Sequence, residues 1–153
     1  MNIQSAYNIW SESYDENKNL TRDLDAKIVR KEFSNQKFNS ILEVGCGTGK
    51  NTIFFSEIAD KVYAIDFSRG MISKAKEKIK SDNVQFTQSD ITRKWPIENN
   101  TIELVTCNLI LEHIESVDFI FSEANRCLKV EGEFFISELH PFRQYEGKKA
   151  TFV

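Results

Sequence analysis

A short apolar run that ends in three alternating glycines constrains the fold of this chain more than any other feature. Residues 41–44 are apolar except for Glu43, as in a buried parallel strand. Gly45, Gly47 and Gly49 follow at alternate positions. A helix is predicted after them, and its expected buried side chains are Ile53, Phe54, Phe55, Ile58 and Ala59. This order of strand, glycine turn and helix brings backbone N–H groups around a small ligand.

The glycine spacing separates two kinds of nucleotide-binding loop. A dinucleotide-binding fingerprint, G-x-G-x-x-G, would place its third glycine at position 50, where the chain has Lys50. Glu43 precedes the loop, and its charge would repel a pyrophosphate but suits a ligand with a positive end. The segment from Glu43 to Gly49 resembles the first motif, E/D-x-G-x-G-x-G, of the class I S-adenosylmethionine-dependent methyltransferases. The resemblance implies S-adenosylmethionine as the cofactor, with its amino group and sulfonium near this loop.

An acidic residue ends the second predicted strand, residues 61–66. Asp66 lies about 20 residues beyond the glycine loop, where an acidic side chain can bind the ribose hydroxyls of a nucleoside. A helix should follow, and Ser68 is its better N-cap, which leaves Asp66 available for a ligand. Phe67 and Met71 are expected near the adenine, because the first turn of that helix faces the same crevice.

Polar side chains also end the third and fourth predicted strands, residues 83–90 and 101–107. In the family that the chain resembles, an acid after the third strand accepts a hydrogen bond from the adenine amino group, and the next N–H meets a ring nitrogen. The resemblance assigns these roles to Asp90 and Ile91, although an ordinary turn aspartate stays open for Asp90. Asn108 follows the fourth strand, where the methyl group should lie. The predicted cofactor-binding residues are Tyr14, Glu43, Gly45, Cys46, Gly47, Thr48, Gly49, Asp66, Phe67, Met71, Asp90, Ile91 and Asn108.

Two histidines are the candidates for catalysis. Glu112-His113 resembles the Leu-Glu-His segment of the broad small-molecule methyltransferase group, and His140 follows the fifth predicted strand on the same side of the sheet. A packing or hydrogen-bonding role stays open for both. Neither has metal-ligand spacing, so no metal is predicted. The loop after the fourth strand lacks the Asn/Asp-Pro-Pro-Tyr/Phe pattern of methyltransferases that modify amino groups of adenine or glutamine, which argues against those acceptors.

Strands that alternate with helices predict an α/β fold, with a Rossmann-like open parallel sheet flanked by helices. Five strands are expected in the order 3-2-1-4-5, the fifth at residues 133–137 after a turn at 128–132. The predicted organisation is an N-terminal helical cap at 1–36, an S-adenosylmethionine-binding core at 37–141 and a C-terminal tail at 142–153, all within one structural domain.

The N-terminal cap should contain two helices. Residues 3–15 carry aromatic and aliphatic side chains at helical spacing. Tyr7-Asn8 and Tyr14-Asp15 are similar to the paired Tyr-Asp signatures of segments that close over the cofactor in small-molecule methyltransferases, while a simple core-covering role for the aromatics stays open. The second helix, about residues 19–35, should bury a stripe made of Leu20, Leu24 and Ile28, widened by Val29 and Phe33.

Charge and composition narrow the range of partners. A formal net charge of −3 and a pI near 5.5 argue against a nucleic-acid partner, because nucleic-acid-binding surfaces are normally basic. The three cysteines lack metal-ligand spacing and indicate reduced cytosolic thiols. Neither a signal peptide nor an apolar run of transmembrane length is visible. We therefore expect a soluble, cytoplasmic protein with no membrane partner.

The usual sheet of the family has seven strands, two more than this chain supplies. The edge of the fifth strand would then be open to pairing, so a homodimer through that edge or through the C-terminal tail is expected. Three functions stay open: a methyltransferase that acts on a small-molecule acceptor, a module that binds the cofactor without turnover, and a nicotinamide-dependent oxidoreductase. The resemblance favours the first.

Overall fold

Five parallel strands build the sheet that carries the site. The structure, a computed structural model, describes residues 8–9, 11, 14–15 and 18–140. The strands are β1 Phe38–Val44, β2 Ala59–Asp66, β3 Val84–Gln88, β4 Ile102–Asn108 and β5 Leu128–Ser137. Every neighbouring pair is parallel, and the order across the sheet is β3-β2-β1-β4-β5. The predicted Rossmann-like α/β fold and strand order are confirmed.

Helices make most of the connections that parallel strands require. The helices are α1 Leu20–Phe33, α2 Thr52–Ile58, α3 Arg69–Lys78 and α4 Asp118–Cys127, with a 3₁₀ helix at Leu111–His113. Two of them begin at polar caps. Asn19 Oδ1 accepts hydrogen bonds from two amides of the first turn of α1, and Ser68 Oγ accepts one from the Met71 N–H in α3. Ser68 is therefore the N-cap that the sequence predicts.

The sheet is buried on both faces, as expected for parallel strands. Leu42 and Val44 of β1 point into one apolar cluster, which α4 completes with Ile120, Ala124 and Cys127. Trp95 belongs to the same cluster and anchors the helix-free connection between β3 and β4, where its Nε1 donates to the Ile91 carbonyl oxygen at 2.9 Å. The opposite cluster consists of Val29, Phe33, Ile41, Phe54, Phe55, Ile58, Val62 and Leu104.

Helix α1 buries Val29 and Phe33, as predicted, but not the rest of the predicted apolar stripe. Leu20, Leu24 and Ile28 are 71%, 58% and 42% exposed, so the prediction of a buried stripe at these positions is wrong. The buried face is Asp25, Val29 and Phe33, which share the same spacing of four residues. The two apolar residues of that face enter the core, while the aspartate serves the polar site described below.

Two element boundaries also differ from the prediction. Ala59 begins β2 instead of ending α2, and Ile53 lies on the solvent side of α2 at 40% exposure. Strand β5 begins at Leu128, within the segment predicted as a turn, and its register against β4 shifts between Ile102 and Leu104. Glu131, with φ of 65°, marks this irregularity. A turn-like backbone and strand pairing coexist there, which explains the wrong boundary.

Parts of the predicted N-terminal cap and the predicted C-terminal tail lie outside the described residues. Asn8 and Ile9 are helical, and the remainder of the proposed 3–15 helix is described only at residues 11, 14 and 15. Over the described part of the chain, no helix has the length and apolar character needed to span a bilayer.

Candidate functional site

A cavity of about 240 Å³ lies beyond the carboxyl ends of the central strands. Strand β1 has β2 on one side and β4 on the other, so the chain leaves β1 at the point where the strand order reverses, which is the usual ligand position in such sheets. The residues that line the cavity are Tyr14, Arg22, Asp25, Glu43, Val44, Gly45, Cys46, Gly47, Thr48, Lys50, Asn51, Asp66, Phe67, Met71, Asp90, Ile91, Thr92, Asn108, Leu109, Ile110, His113 and Ile114.

The cavity gathers nearly all of the predicted cofactor residues. Glu43, Asp66 and Asp90 come from the ends of three neighbouring strands and line one space. Of the remaining predictions, Gly49 is absent from the lining, as is the candidate catalytic residue His140, whereas His113 is present. Gly49 and His140 therefore lie away from the cavity wall.

The three glycines of the loop have positive φ angles of 76°, 54° and 85°, but they serve different purposes. A Cβ on Gly45 would lie 2.6 Å from Ile110 Cγ2, and a Cβ on Gly49 would lie 2.6 Å from Ile79 Cδ1. A Cβ on Gly47 would meet no atom within 4 Å. Gly45 and Gly49 thus permit close packing of the loop against its surroundings, while Gly47 leaves open space beside the cavity.

Backbone hydrogen bonds hold the glycine loop against β2. The N–H groups of Gly45 and Cys46 both donate to the Ile65 carbonyl oxygen, at 2.8 and 3.1 Å. The Gly47 N–H donates to Asp66 Oδ2 at 2.9 Å. The loop therefore keeps a fixed position relative to the end of the neighbouring strand.

Asp66 is buried and is less free than the sequence indicates. Its Oδ1 accepts from the Ser68 N–H at 2.8 Å, in addition to the Gly47 contact of Oδ2. Ser68 does cap α3, yet Asp66 joins the glycine loop to the start of that helix. Burial raises the pKa of Asp66, and the backbone hydrogen bonds partly oppose this shift. The Phe67 N–H donates to the same carboxyl group, so about one of its four acceptor positions is left for a ligand.

Glu43 is enclosed at the end of β1 and is 4% exposed. Its Oε2 accepts a hydrogen bond from the Thr52 hydroxyl at the start of α2. Burial raises the pKa of Glu43 to about 8, and the charges of Asp25 and Asp66 act in the same direction. The free carboxyl group is therefore mostly protonated at neutral pH.

Asp25 is a cavity residue that the sequence did not indicate. It projects from α1 and accepts from Asn108 Nδ2 at 2.8 Å and from Asn51 Nδ2 at 2.9 Å. This carboxylate thus joins the N-terminal helix to the end of β4 and to the start of α2. Its spacing from Val29 and Phe33 matches that of the neighbouring leucine stripe, so periodicity alone could not select the correct face.

Asp90 and Ile91 line the far side of the cavity, at the end of β3. Ile91 is buried, whereas Asp90 is exposed and its Oδ1 accepts from both the N–H and the hydroxyl of Thr92, at 3.0 and 2.7 Å. The hydrogen bond from the Thr92 side chain is the main cause that lowers the pKa of Asp90. The local turn and the cavity position are both present, so the turn and ligand roles of Asp90 are compatible.

The segment after β4 forms the wall opposite the glycine loop. Leu109 has a φ of 56°, which is uncommon for a residue with a branched side chain. Glu138, which follows β5, accepts hydrogen bonds at Oε1 from the N–H groups of Ile110 and Leu111, both at 2.8 Å. The 3₁₀ helix then presents His113, whose Nε2 lies 3.5 Å from Glu112 Oε1.

The described residues that precede α1 contact three elements around the cavity: α1, the glycine loop and α3. The Arg22 guanidinium lies over the Tyr14 ring, 3.8 Å from the ring centroid, and Nη2 donates to the Tyr14 carbonyl oxygen at 2.9 Å. Asp15 accepts from the Thr48 hydroxyl and from Lys78 Nζ, both at 2.7 Å. Asn8 Oδ1 accepts from the Ser68 hydroxyl at 2.7 Å. These contacts tie the segment to the glycine loop and to α3.

The donor set of the site is not that of a metal centre. Among the described residues, no three side chains of His, Cys, Asp or Glu come together in an arrangement that could hold a metal ion. The three cysteines are buried free thiols. The absence of a metal remains a prediction for the whole chain.

Comparison with known proteins gives the family. A family model described as a methyltransferase domain matches residues 42–136. Demethylmenaquinone methyltransferase of Staphylococcus aureus is 34% identical over 110 residues, which cover 69% of this chain and 45% of that protein. A Listeria monocytogenes protein assigned to the S-adenosylmethionine dependent methyltransferases is 32% identical with a TM-score of 0.70, over 76% of this chain and 53% of that chain.

The fold likeness extends further along the chain. The DhpI–SAM–HEP complex is 23% identical with a TM-score of 0.75, over 96% of this chain and 70% of that chain. The chain spans less than half the length of the S. aureus relative. The match of the family model covers more than half of this chain and includes the glycine loop and the carboxyl ends of β1 to β4. The chain therefore belongs to the methyltransferase-domain family, within the class I S-adenosylmethionine-dependent methyltransferases.

Proposed function

We propose that the cavity binds S-adenosylmethionine and that the protein transfers its methyl group to a small-molecule acceptor. The observation that carries the proposal is the convergence of three strand ends on one cavity that also has open space at Gly47. A cofactor with a nucleoside at one end and an amino acid at the other needs polar groups at separated points and a close backbone approach between them. The residues of this cavity fit that requirement.

The cavity residues divide into two ends. Asp66 can accept a further hydrogen bond from a ribose hydroxyl, and Ile91, Phe67 and Met71 provide apolar walls for an adenine ring. The glycine loop and Glu43 form the other end, where the methionine part would lie. In this assignment Asp66, Asp90 and Ile91 keep the roles expected from the sequence. Gly49 lets the loop pack closely against Ile79 and does not contact the cofactor.

Bound S-adenosylmethionine supplies an electrophilic methyl group, so the protein's part is alignment, exclusion of water and proton handling. Ile110 and Ile114 give the wall after β4 an apolar surface. His113 lies in the same wall and is the candidate to accept a proton from the acceptor. His140 is outside the lining and is not assigned a role in proton transfer.

The acceptor class is inferred from the wall and from one relative. The S. aureus relative is named a demethylmenaquinone methyltransferase. Leu109, Ile110 and Ile114 would suit an acceptor with an apolar or aromatic part that carries the reacting atom. A second candidate function, cofactor binding without turnover, is favoured by one fact: the chain spans less than half of that relative.

Titration calorimetry followed by turnover assays tests these functions. S-adenosylmethionine and S-adenosylhomocysteine should bind, whereas NAD should not. Methyl transfer to a panel of phenols, quinols, carboxylates and amines should then give product with at least one class. Binding without any product would support the second candidate, and binding of NAD alone would contradict both.

We also propose self-association through β5. Among the described residues, β5 pairs only with β4, so its other edge carries no partner strand from that part of the chain. Phe134 of β5 contacts Phe121 of α4, which is 47% exposed, so apolar surface accompanies the open edge. Analytical ultracentrifugation over a range of concentrations should show a dimer; sedimentation as a monomer at the highest concentration would contradict it.

A further inference from the structure

Three buried carboxyl groups line the same cavity. Asp25, Glu43 and Asp66 are each no more than 5% exposed. Their hydrogen-bond donors are neutral: two asparagine amides for Asp25, the Thr52 hydroxyl for Glu43, and the backbone N–H groups of Gly47, Phe67 and Ser68 for Asp66. Three negative charges in one enclosed space would repel one another strongly, so the arrangement favours either a protonated carboxyl group or a cationic ligand.

Glu43 is the member of this group with the fewest stabilising contacts for a negative charge. The charged groups that act on it are Asp25 from α1 and Asp66 from β2. Its partners in the neighbouring strands are Ala64 and Thr106, both uncharged, and α2 contributes only the Thr52 hydroxyl. Every element packed around Glu43 thus offers it a neutral or a negative neighbour.

Among the described residues that line the cavity, Lys50 and Arg22 carry positive charges, and both are held by other groups. Lys50 forms an ion pair with Asp23 on the exposed side of α1. Arg22 lies over the Tyr14 ring and donates to its carbonyl oxygen. Burial and the two carboxylates therefore decide the state of Glu43, and its pKa of about 8 in the free protein follows from them.

We propose that Glu43, which lies where the sequence already leads us to expect the positive end of the cofactor, holds a proton in the free protein and releases it to solvent when the cofactor binds. The proposal rests on the cofactor site proposed above. A cation beside Glu43 favours the ionised carboxylate, so the proton moves from Oε to water or buffer as the ligand's ammonium or sulfonium group takes its place. The bound pair is then neutral overall, and the repulsion from Asp25 and Asp66 is offset.

Titration calorimetry at pH 7 in phosphate and in Tris measures this proton directly. The two buffers differ in ionisation enthalpy, so the difference in observed binding heat gives the number of protons released. Wild type should release roughly 0.9 proton per S-adenosylmethionine, which is the protonated fraction of a group with a pKa near 8. S-adenosylhomocysteine, which keeps the ammonium but lacks the sulfonium, should release the same number if the ammonium is the recognised charge. Release with S-adenosylmethionine alone would assign the sulfonium.

Matched variants separate Glu43 from other carboxyl groups. Glu43→Gln should bind with no proton release, whereas Glu32→Gln, which makes the same change on the exposed side of α1, should release as many protons as wild type. If Glu43→Gln does not fold, the same question can be answered with the wild-type protein. The ¹³C chemical shift of the Glu43 carboxyl group is then followed by NMR as the pH is changed. The titration midpoint should lie near 8 in the free protein and fall by more than one pH unit with S-adenosylmethionine bound.

The possible results separate a failure of proton release from a failure of the proposed cofactor site. Binding with a heat that is independent of buffer, or an unchanged Glu43 midpoint, would overturn proton release while leaving the cofactor site intact. Absence of binding by both ligands would instead overturn the proposed function.

Discussion

The three loop glycines differ in what a methyl group would meet, and this difference is testable at single positions. Gly47→Ala should place its Cβ in open space beside the cavity, so the fold should survive with a loss of about 1 kcal/mol from the positive φ. The affinity for S-adenosylhomocysteine should fall at least about tenfold, because the methyl group occupies space needed by the ligand. A valine there should have a larger effect on binding.

Gly49→Ala is the matched comparison for Gly47→Ala. Its Cβ would lie 2.6 Å from Ile79 Cδ1 and 3.3 Å from Ala75 Cβ, so the Ile79 side chain must turn away and Ala75 must shift by a few tenths of an ångström. We expect the larger fall in melting temperature for this variant, with a smaller change in affinity among molecules that remain folded. Thermal unfolding and calorimetry of both variants would check the contrast. Equal losses of affinity with equal melting temperatures would contradict separate roles.

Asp66 has a structural role and a proposed role in cofactor binding, and a single substitution should affect both. Asp66→Ala removes the acceptor for the Gly47 and Ser68 N–H groups and the proposed acceptor for the ribose. The expected cost is about 1–3 kcal/mol of cofactor binding, roughly fivefold to more than a hundredfold in dissociation constant. Asp60→Ala, on an exposed residue of the same strand, is the control. An unchanged dissociation constant for Asp66→Ala would remove that residue from the site.

The sequence predicts site residues that lie at the end of a strand or in the glycine loop. It does not predict residues whose position depends on tertiary packing. Asp66 was predictable because an acid at the end of β2 has one edge of the sheet to face. Asp25 was not, because an aspartate within a helix ordinarily lies on the solvent side. Its burial depends on two asparagine amides that are 26 and 83 residues away in sequence.

At the scale of elements, α1 shows how two equal periodicities can mislead. Leu20, Leu24 and Ile28 form the more apolar stripe, and Asp25, Val29 and Phe33 form the stripe that packs. The second stripe wins because Phe33 contacts the rings of Phe38 and Phe135 edge-on, at centroid distances of 5.9 and 5.2 Å. Only the assembled sheet supplies those partners, so the sequence predicted the helix and the burial of Val29 and Phe33 but not the exposure of Leu20, Leu24 and Ile28.

The wall after β4 should depend on Glu138. Glu138→Ala would leave the N–H groups of Ile110 and Leu111 without their acceptor, next to Leu109 in an uncommon conformation. We expect the two amides to exchange with deuterium at least about tenfold faster, since a lost hydrogen bond to a charged group costs about 1.5–3 kcal/mol. Hydrogen exchange followed by NMR measures each amide separately.

Glu138→Gln should restore the hydrogen bonds to the segment after β4 that Glu138→Ala removes. Its side-chain oxygen can still accept from both N–H groups, so exchange should return most of the way to the wild-type rate. Glu133→Ala, on an exposed residue of β5, should leave both amides protected. Equal exchange in Glu138→Ala and wild type would show that the wall is held by other contacts.

At the scale of the whole molecule, topology carries most of what the sequence could predict. Alternating strand and helix signals, together with right-handed crossovers, leave few sheet orders, and β3-β2-β1-β4-β5 is the one observed. That order places the ends of β1, β2 and β4 around one crevice without reference to any side chain. The ionisation states inside the crevice depend on burial and on charges from four elements, which no local stretch of sequence contains.

The free protein should lose stability as the pH rises from about 5 to 8. The folded-state pKa of Glu43 is about 8, above the ordinary value of 4.5, so the folded state holds a proton that the unfolded chain has released in this interval. Unfolding therefore releases a proton, and the free energy of unfolding should fall by up to about 1.4 kcal/mol per pH unit, levelling above pH 8. Burial raises the pKa of Asp66 and of Glu138, which adds slope in the same direction.

Carboxyl groups with lowered pKa values set the acid limit of the same profile. The Asn39 hydrogen bond lowers the pKa of Glu103, and the Arg126 hydrogen bond lowers that of Glu123, so their stabilising contributions disappear as the pH falls below about 4. Urea unfolding between pH 4 and 9 should thus show a maximum near pH 5 for wild type without ligand. Glu43→Gln should flatten the alkaline side, leaving only the slope from Asp66 and Glu138. Excess S-adenosylmethionine should flatten it in wild type as well, because the ligand favours the ionised Glu43. Parallel profiles for wild type and Glu43→Gln would mean that Glu43 is already ionised in the free protein and that the charge of the cavity is balanced in another way.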